Sequence, residues 1–382
     1  MKRSRWYGRA AILVAAFALL LVGVGAAAAQ DAGRLPIPVP HPIAPTGEAP
    51  QSPEAGNVTA YDAWTGDGNW NYKDWFFPGE VIEYVVTVNN TTGNNRDITL
   101  EYEVFGPDGE LVDGGAAWTY NLTTSPGITS WGIQWVVPAG HGGWHQLVGS
   151  VTYQGNTTQA GSSGHNVYGS TAGNYLFADG FEWTPDLSNW SAKKTDNGDL
   201  YVTPDATLVG WNGLAVVIDD KKPLYLTDET PWSEWAYAAA FFFDPNSIVM
   251  KNGNVHNIFV ERNEANRPIN IVQFRRFGAD YQLRFQTRKD GGGFINTPWQ
   301  TISDGPHRLT IGWSSSIWPG YNNGTYTFGI QKYPYDGTEW WWFKYDIDND
   351  TSRIDSVLLG PSSGIDKQTK GTYYFDGFDS WR

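Results

Sequence analysis

The sequence predicts an all-β protein built from two sandwich domains. Three observations carry that prediction. Apolar residues alternate with polar ones in short runs punctuated by Gly, Pro, Asn and Asp. Aromatic residues make up 15% of the chain, alongside 44 glycines and only two methionines, a composition suited to pleated, half-buried surfaces. No segment beyond the N-terminal leader sustains a 3.6-residue period.

The leader, residues 1–29, opens with Lys2, Arg3, Arg5 and Arg9, followed by an apolar run from Ala10 to Ala29. The small residues before Gln30 fit a signal-peptidase site, and the run is also long enough to remain as a membrane anchor. Either way the sequence predicts export, with the protein secreted or tethered at the cell surface. Any membrane contact is then confined to an uncleaved leader. Residues 30–57 form a Pro-rich linker (LPIPVPHPIAPTGEAPQSPEAG), where repeated Pro favours extended polyproline II and denies ladder hydrogen bonds. The linker is expected to belong to no core.

Residues 58–170 read as the first sandwich. Val81 to Val88 is a strand ending at Asn89-Asn90, and Ile98, Leu100, Tyr102 and Val104 alternate with polar residues. Gly106-Pro107-Asp108-Gly109 is a turn, because Pro presets φ and Gly supplies positive φ. Trp131, Ile133, Trp135 and Val137 form a further alternating face. The stretch PGEVIEYVVTVNNTTG, then a strand and GPDGEL, resembles the Ig-like or fibronectin-like accessory modules of bacterial surface proteins. The resemblance implies a spacer or adhesion module. Residues 171–174 are a short linker, and residues 175–382 hold many more short strands, such as Ala236 to Phe243 and Tyr281 to Thr287.

The second domain opens with Asp179-Gly180-Phe181-Glu182 and Leu187-Ser188-Asn189-Trp190 and closes with Tyr373-Tyr374-Phe375-Asp376-Gly377-Phe378-Asp379. Between them lie Ile302-Ser303-Asp304-Gly305-Pro306-His307 and the turn Asn322-Asn323-Gly324. Together these resemble the concanavalin A-like or laminin G-like lectin superfamily. That resemblance implies a two-sheet jelly roll whose members bind glycans, bind proteins or cleave polysaccharides. It also implies that the first and last strands lie side by side, which would bring Asp179, Glu182, Asp376 and Asp379 together. Four converging carboxylates call for a cation, and a structural Ca²⁺ is the expected one; the alternative is that they satisfy local turns.

Composition excludes several classes. There are no cysteines, so an exported fold rests on its core or on metal ions, and a lipoprotein anchor is excluded. This usage favours a bacterial source, and sequons such as Asn121-Leu-Thr then read as chance. A net charge of −14 repels nucleic acid and anionic membrane.

Two groups point to binding. Trp340-Trp341-Trp342-Phe343 on a strand places Trp340 and Trp342 on one face, with Trp341 and Phe343 on the other. One face can be core; the other is then exposed as a stacking platform for sugar rings, with Trp340 and Trp342 the expected ligand contacts, or covered by a partner. Trp318, Tyr321, Tyr333 and Tyr335 are loop aromatics that could extend that surface, and Trp64, Trp70, Tyr72 and Trp75 form a smaller cluster in the first domain. Arg275 and Arg284 lie on strands, and Gln282 and Gln286 share a face with Arg284 at period 2. Such side chains hydrogen-bond sugar hydroxyls or uronic acids, or simply line a solvated sheet face.

Catalytic motifs are missing. No Glu-x-Asp-x-x-Glu run supplies the paired carboxylates of a jelly-roll glycosidase, and no nucleophile elbow or metalloprotease motif is present. His141 and His145 lie on no helix, and Asp346 to Asp350 lacks the Gly and Glu of an EF-hand loop. The expectation is an exported protein that binds a glycan or cell-wall component without chemistry. A structural adhesion protein is the alternative, and a divergent lyase or glycosidase a third reading.

Overall fold

The computed structural model describes residues 41–43 and 56–382, apart from 68–69, 108, 113–116, 139, 161–162, 172–173, 183 and 318–319. The leader, most of the Pro-rich linker and Trp318 therefore lie outside the described residues. All the described residues belong to one unit, Pro38–Arg382. Among them there is no α-helix, only strands and two 3₁₀ turns.

The first sandwich comprises β1 (His41–Ile43), β2 (Val58–Gly66), β3 (Trp75–Phe76), β4 (Val81–Asn90), β5 (Arg96–Phe105), β6 (Trp118–Thr124), β7 (Gly127–Val136), β8 (His141–Tyr153), β9 (Asn156–Gln159) and β10 (Ser163–Thr171). One sheet runs β1-β7-β4-β2; the other runs β3-β10-β8-β5-β6, with β9 on β8. Period 2 decides which side chains are core: along β5, Ile98, Leu100, Tyr102 and Val104 are buried and their neighbours are not. The sheets approach closely where β8 carries Gly149, since a Cβ there would overlap the Val86 methyls of β4. The linker expectation needs one correction. His41–Ile43 pairs antiparallel with β7 and adds an edge strand, a position that tolerates Pro42 because an outward N–H is not needed there.

The second sandwich comprises β11 (Tyr175–Asp179), β12 (Ala192–Lys194), β13 (Leu200–Thr203), β14 (Gly213–Ile218), β15 (Tyr225–Asp228), β16 (Ala236–Asp244), β17 (Val255–Arg262), β18 (Pro268–Phe277), β19 (Asp280–Arg288), β20 (Phe294–Asn296), β21 (Gln300–Ile302), β22 (His307–Ser314), β23 (Gly324–Lys332), β24 (Glu339–Ile347), β25 (Ser356–Ser363) and β26 (Gly371–Trp381). The terminal sheet runs β13-β14-β26-β16-β22-β23-β24, with β11 on β26. The middle sheet runs β12-β15-β25-β17-β18-β19-β20, with β21 on β19. Aromatic pairs join the two: Phe241 to Phe259 at 5.2 Å, Phe243 to Phe274 at 5.0 Å and Phe285 to Phe328 at 5.5 Å between ring centroids. Each buried Phe contributes about 1.5–3 kcal/mol. Much of the aromatic content is therefore core.

The two sandwiches also touch. Phe77, after β3, packs with Val209 and Phe242 of the second sandwich, and the buried Arg308 guanidinium lies 4.1 Å from the Phe77 ring. The Tyr333 hydroxyl donates to Glu80 at 2.5 Å, and Lys73 pairs with the same carboxylate at 2.8 Å. Tyr335 meets Trp75 edge-on at 6.1 Å. Tyr333 and Tyr335 thus contact the first domain, which corrects the expectation of an exposed surface for Tyr333, while Tyr335 stays 44% exposed.

Candidate functional site: the outer face of the middle sheet

The β18–β19 hairpin sets the geometry. Gln273 pairs with Arg284, and Arg275 with Gln282. Val272, Phe274, Leu283 and Phe285 point into the core, so the alternate residues Gln273, Arg275, Gln282, Arg284 and Arg288 point outward, where all are half-buried. These side chains hold one another. Arg275 Nε donates to Gln282 Oε1 at 2.8 Å, and Arg284 Nε donates to Gln273 Oε1 at 2.8 Å. Gln273 passes the chain to Asn257 on β17 at 2.9 Å, and Asn257 to Ser363 on β25 at 2.9 Å. On the other side Gln282 donates to Thr301 of β21 at 3.2 Å. A hydrogen-bonded polar layer thus crosses neighbouring strands, with rotamers fixed in advance of any ligand.

Trp299 completes the layer from the loop between β20 and β21. The Arg275 and Arg284 guanidinium carbons lie 4.0 and 4.4 Å from its ring centroid. Further along β19, Arg288 lies 4.5 Å from the Phe294 ring and donates its Nε to the Pro268 carbonyl at 2.6 Å. Beside these arginines is an apolar cluster of Val260, Ile271 and Leu358, packed by Tyr225 and Phe294. Burial pulls the acidity constants of Arg275, Arg284 and Arg288 below the usual guanidinium value; for Arg284 the charge of Arg275 adds to it, and for Arg288 that of Arg267. The site can therefore present fixed donors beside flat rings.

Arg275 and Arg284, expected from the sequence, are brought together by this sheet. Gln273 and Arg288 were not singled out, although the same period-2 rule reaches both. Asn257 and Trp299 arrive from other elements by pairing and loop closure, which no local pattern reports.

The aromatic run on β24 divides as alternation requires, but its assignment needs correction. Trp340 and Trp342, the expected platform, pack against the core: Trp340 meets Phe328 at 5.9 Å and Trp342 meets Tyr326 at 5.2 Å. The outward row is Trp341, Phe343 and Tyr345, with Phe343 51% and Tyr345 56% exposed. Trp341 and Phe343 are 6.3 Å apart and within 15° of parallel, on the edge strand of the terminal sheet. Tyr321 is exposed in the β22–β23 loop.

Three of the four expected metal ligands accept hydrogen bonds from within the chain. β11 and β26 do pair, with Asp179 opposite Phe378. Yet Asp179 accepts from the Phe181 amide at 2.7 Å and from the Trp190 indole at 2.8 Å. Asp376 accepts from the Leu208 and Val209 amides, both at 2.9 Å, and from Gly377 at 2.7 Å. Glu182 accepts from the Trp211 amide at 2.9 Å. Asp379 is buried beside Gly169 of the first sandwich. Burial raises Asp179 to about 6 and Glu182 to about 7, and lifts Asp376 well above the carboxylate range. These acceptors already serve N–H groups of the chain, and the four do not form one of the sets of three carboxylates whose oxygens gather within 4.8 Å among the described residues. Two other groups bring carboxylate oxygens within 4.8 Å of one another and could hold a metal ion: Asp196, Asp219 and Asp220, and Asp290, Asp348 and Asp350. Lys222 already pairs with the first, at 2.9 Å from both Asp196 and Asp220.

No protein-family model matches the chain, and no curated protein matches its sequence. Similar solved structures include the globular domain of calreticulin from T. cruzi, at 9% identity over 54% of this chain and 87% of that one, with a TM-score of 0.36. An alginate lyase from Alteromonas sp. 272 shares 10% identity over 54% of this chain and 94% of that one, TM-score 0.27. The CBM22 tandem domain of Paenibacillus barcinonensis Xyn10C shares 12% identity over 87% of this chain and 89% of that one, TM-score 0.26. Likenesses this distant add nothing to the all-β double sandwich that the sheets themselves establish.

Proposed function

We propose that the protein is an exported carbohydrate-binding protein, and that it holds a polysaccharide or glycoconjugate without chemistry on the outer face of the middle sheet. One observation carries this reading: the pre-bonded layer of Gln273, Arg275, Gln282 and Arg284 around Trp299. Sugars present hydroxyls to fixed donors and acceptors and apolar ring faces to aromatic planes, and this face supplies both. A binder fits better than a lyase. The histidine of β17, His256, is buried among Phe274 and Tyr373 in the core, away from this face. A panel of soluble polysaccharides in affinity electrophoresis tests the reading. Retardation by at least one polymer, lost in Trp299→Ala with a fall in Tm of only a few degrees, supports it. Equal retardation of Trp299→Ala rejects this face as the site.

A second reading rests on a different observation. Half-buried Trp341 and exposed Phe343 and Tyr345 form an outward aromatic row on an edge strand, and exposed apolar patches mark interaction surfaces. In that reading the protein is an adhesion component whose β24 edge contacts a protein or the cell wall. Binding lost in Phe343→Ala but kept in Trp299→Ala selects it.

A further inference from the structure

The outer face of the middle sheet has a charge of its own, opposite to that of the chain. Strand register places Lys194, Arg275, Arg284 and Arg288 on it, opposite Tyr225, Gln282, Gln273 and Phe294, none of them acidic; Asp280, at the β18–β19 turn, stands opposite Phe277. The chain as a whole carries −14. Two other buried or half-buried arginines have carboxylate charges acting on them. Arg308 has the charges of Asp379 and Glu80 acting on it, and Arg353 has those of Asp350 and Asp290. For Arg275, Arg284 and Arg288 the acting influences are burial and other arginines. Each of the three spends its Nε on the hydrogen bonds already described or on a neighbouring carbonyl. No hydrogen bond among the described residues uses their Nη atoms. A guanidinium held by Nε and by an aromatic plane presents its remaining N–H groups in a fixed fork, the geometry that receives a planar oxyanion.

We infer that this face takes an acidic polysaccharide, with Arg284 and Arg288 each receiving a ring carboxylate or sulfate while Trp299 and Phe294 meet the sugar faces. The inference rests on the carbohydrate-binding reading above and narrows it to a charge class. Gathering like charges on a half-buried face costs stability, which an anionic ligand offsets on binding. Arg284 and Arg288 sit four residues apart on one strand, about 13 Å at strand rise, so one polymer chain can engage both across successive sugar units.

Isothermal titration of the full chain tests this with four polymers. They are a polyuronate, the same polymer with its carboxyls reduced to alcohols, a sulfated galactan, and its desulfated form. The expected result is at least tenfold tighter binding of one acidic polymer than of its neutral counterpart. That affinity falls between 50 and 500 mM NaCl, weakens at least tenfold in Arg284→Gln, and partly returns in Arg284→Lys. The acidic polymer preferred identifies the anion. Equal binding of acidic and neutral forms overturns the charge inference and leaves the carbohydrate reading standing. Binding of none of the four overturns both. Duplex DNA bound as tightly as the acidic polymer also overturns it, in favour of a general polyanion site. Should Arg284→Gln unfold, Arg288→Gln carries the same comparison.

Discussion

Replacing Glu261 by Gln should make the protein more stable as pH rises, because the wild-type carboxyl is buried where its charge is poorly tolerated. Glu261 lies on β17, wholly buried between the sheets; one oxygen accepts from Asn270 at 2.5 Å and the other has no partner. The Glu261 charge also acts on Tyr237, and neither Asn270 nor Tyr237 is a cation. Burial pushes its acidity constant from 4.5 up to about 8. Between those values the folded protein keeps a proton that the unfolded chain has lost, so stability falls with rising pH by about 1.4 kcal/mol per pH step. From pH 5 to pH 8 this is about 4 kcal/mol. Gln keeps the acceptor for Asn270 and cannot ionise. Guanidinium unfolding, followed by tryptophan fluorescence at pH 5, 6.5 and 8, gives the two stability curves. The variant should gain about 4 kcal/mol on wild type across that range, whatever offset its amide introduces at pH 5. Parallel curves would show that Glu261 does not hold a proton in the fold, and would refute the reasoning.

Three further outcomes are expected. His256→Phe should reduce acid sensitivity, leaving the part due to buried His165: burial pushes the His256 ring down to about 3, so stability is lost as pH falls below about 6.5, and the gap between variant and wild type should widen downward from there in thermal melts. Gly149→Ala should destabilise the first sandwich by about 1–3 kcal/mol in chemical denaturation, since the new methyl meets Val86 across the sheets. Tyr333→Phe should cost about 1–2 kcal/mol by removing the hydroxyl donated to Glu80 and should raise protease sensitivity where the two sandwiches meet, with Lys73 still holding the carboxylate.

The architecture was legible because strand alternation is local. Ile98 to Val104 and Gln282 to Arg288 show their faces in the order of their letters. Pairing of β11 with β26 is what the jelly-roll resemblance of residues 175–382 implied. The site was legible only in part. Period 2 groups Trp340 with Trp342 but cannot say which face meets the core; Phe328 and Tyr326 of β23 decide that. Carboxylates close in space suggested a metal, but backbone amides from residues 208–212, far away in sequence, claim Glu182 and Asp376. Trp299 reaches its arginines through loop closure, and no spacing in the sequence records that contact.

The central claim is that a glycan lies on the outer face of the middle sheet, and a crystal structure with a bound acidic oligosaccharide tests it most directly. The account predicts sugar density across β18 and β19, with a ring stacked at Trp299 and an oxyanion within hydrogen-bond distance of Arg284 or Arg288. Density along Trp341, Phe343 and Tyr345 instead, with the arginine face empty, would contradict it.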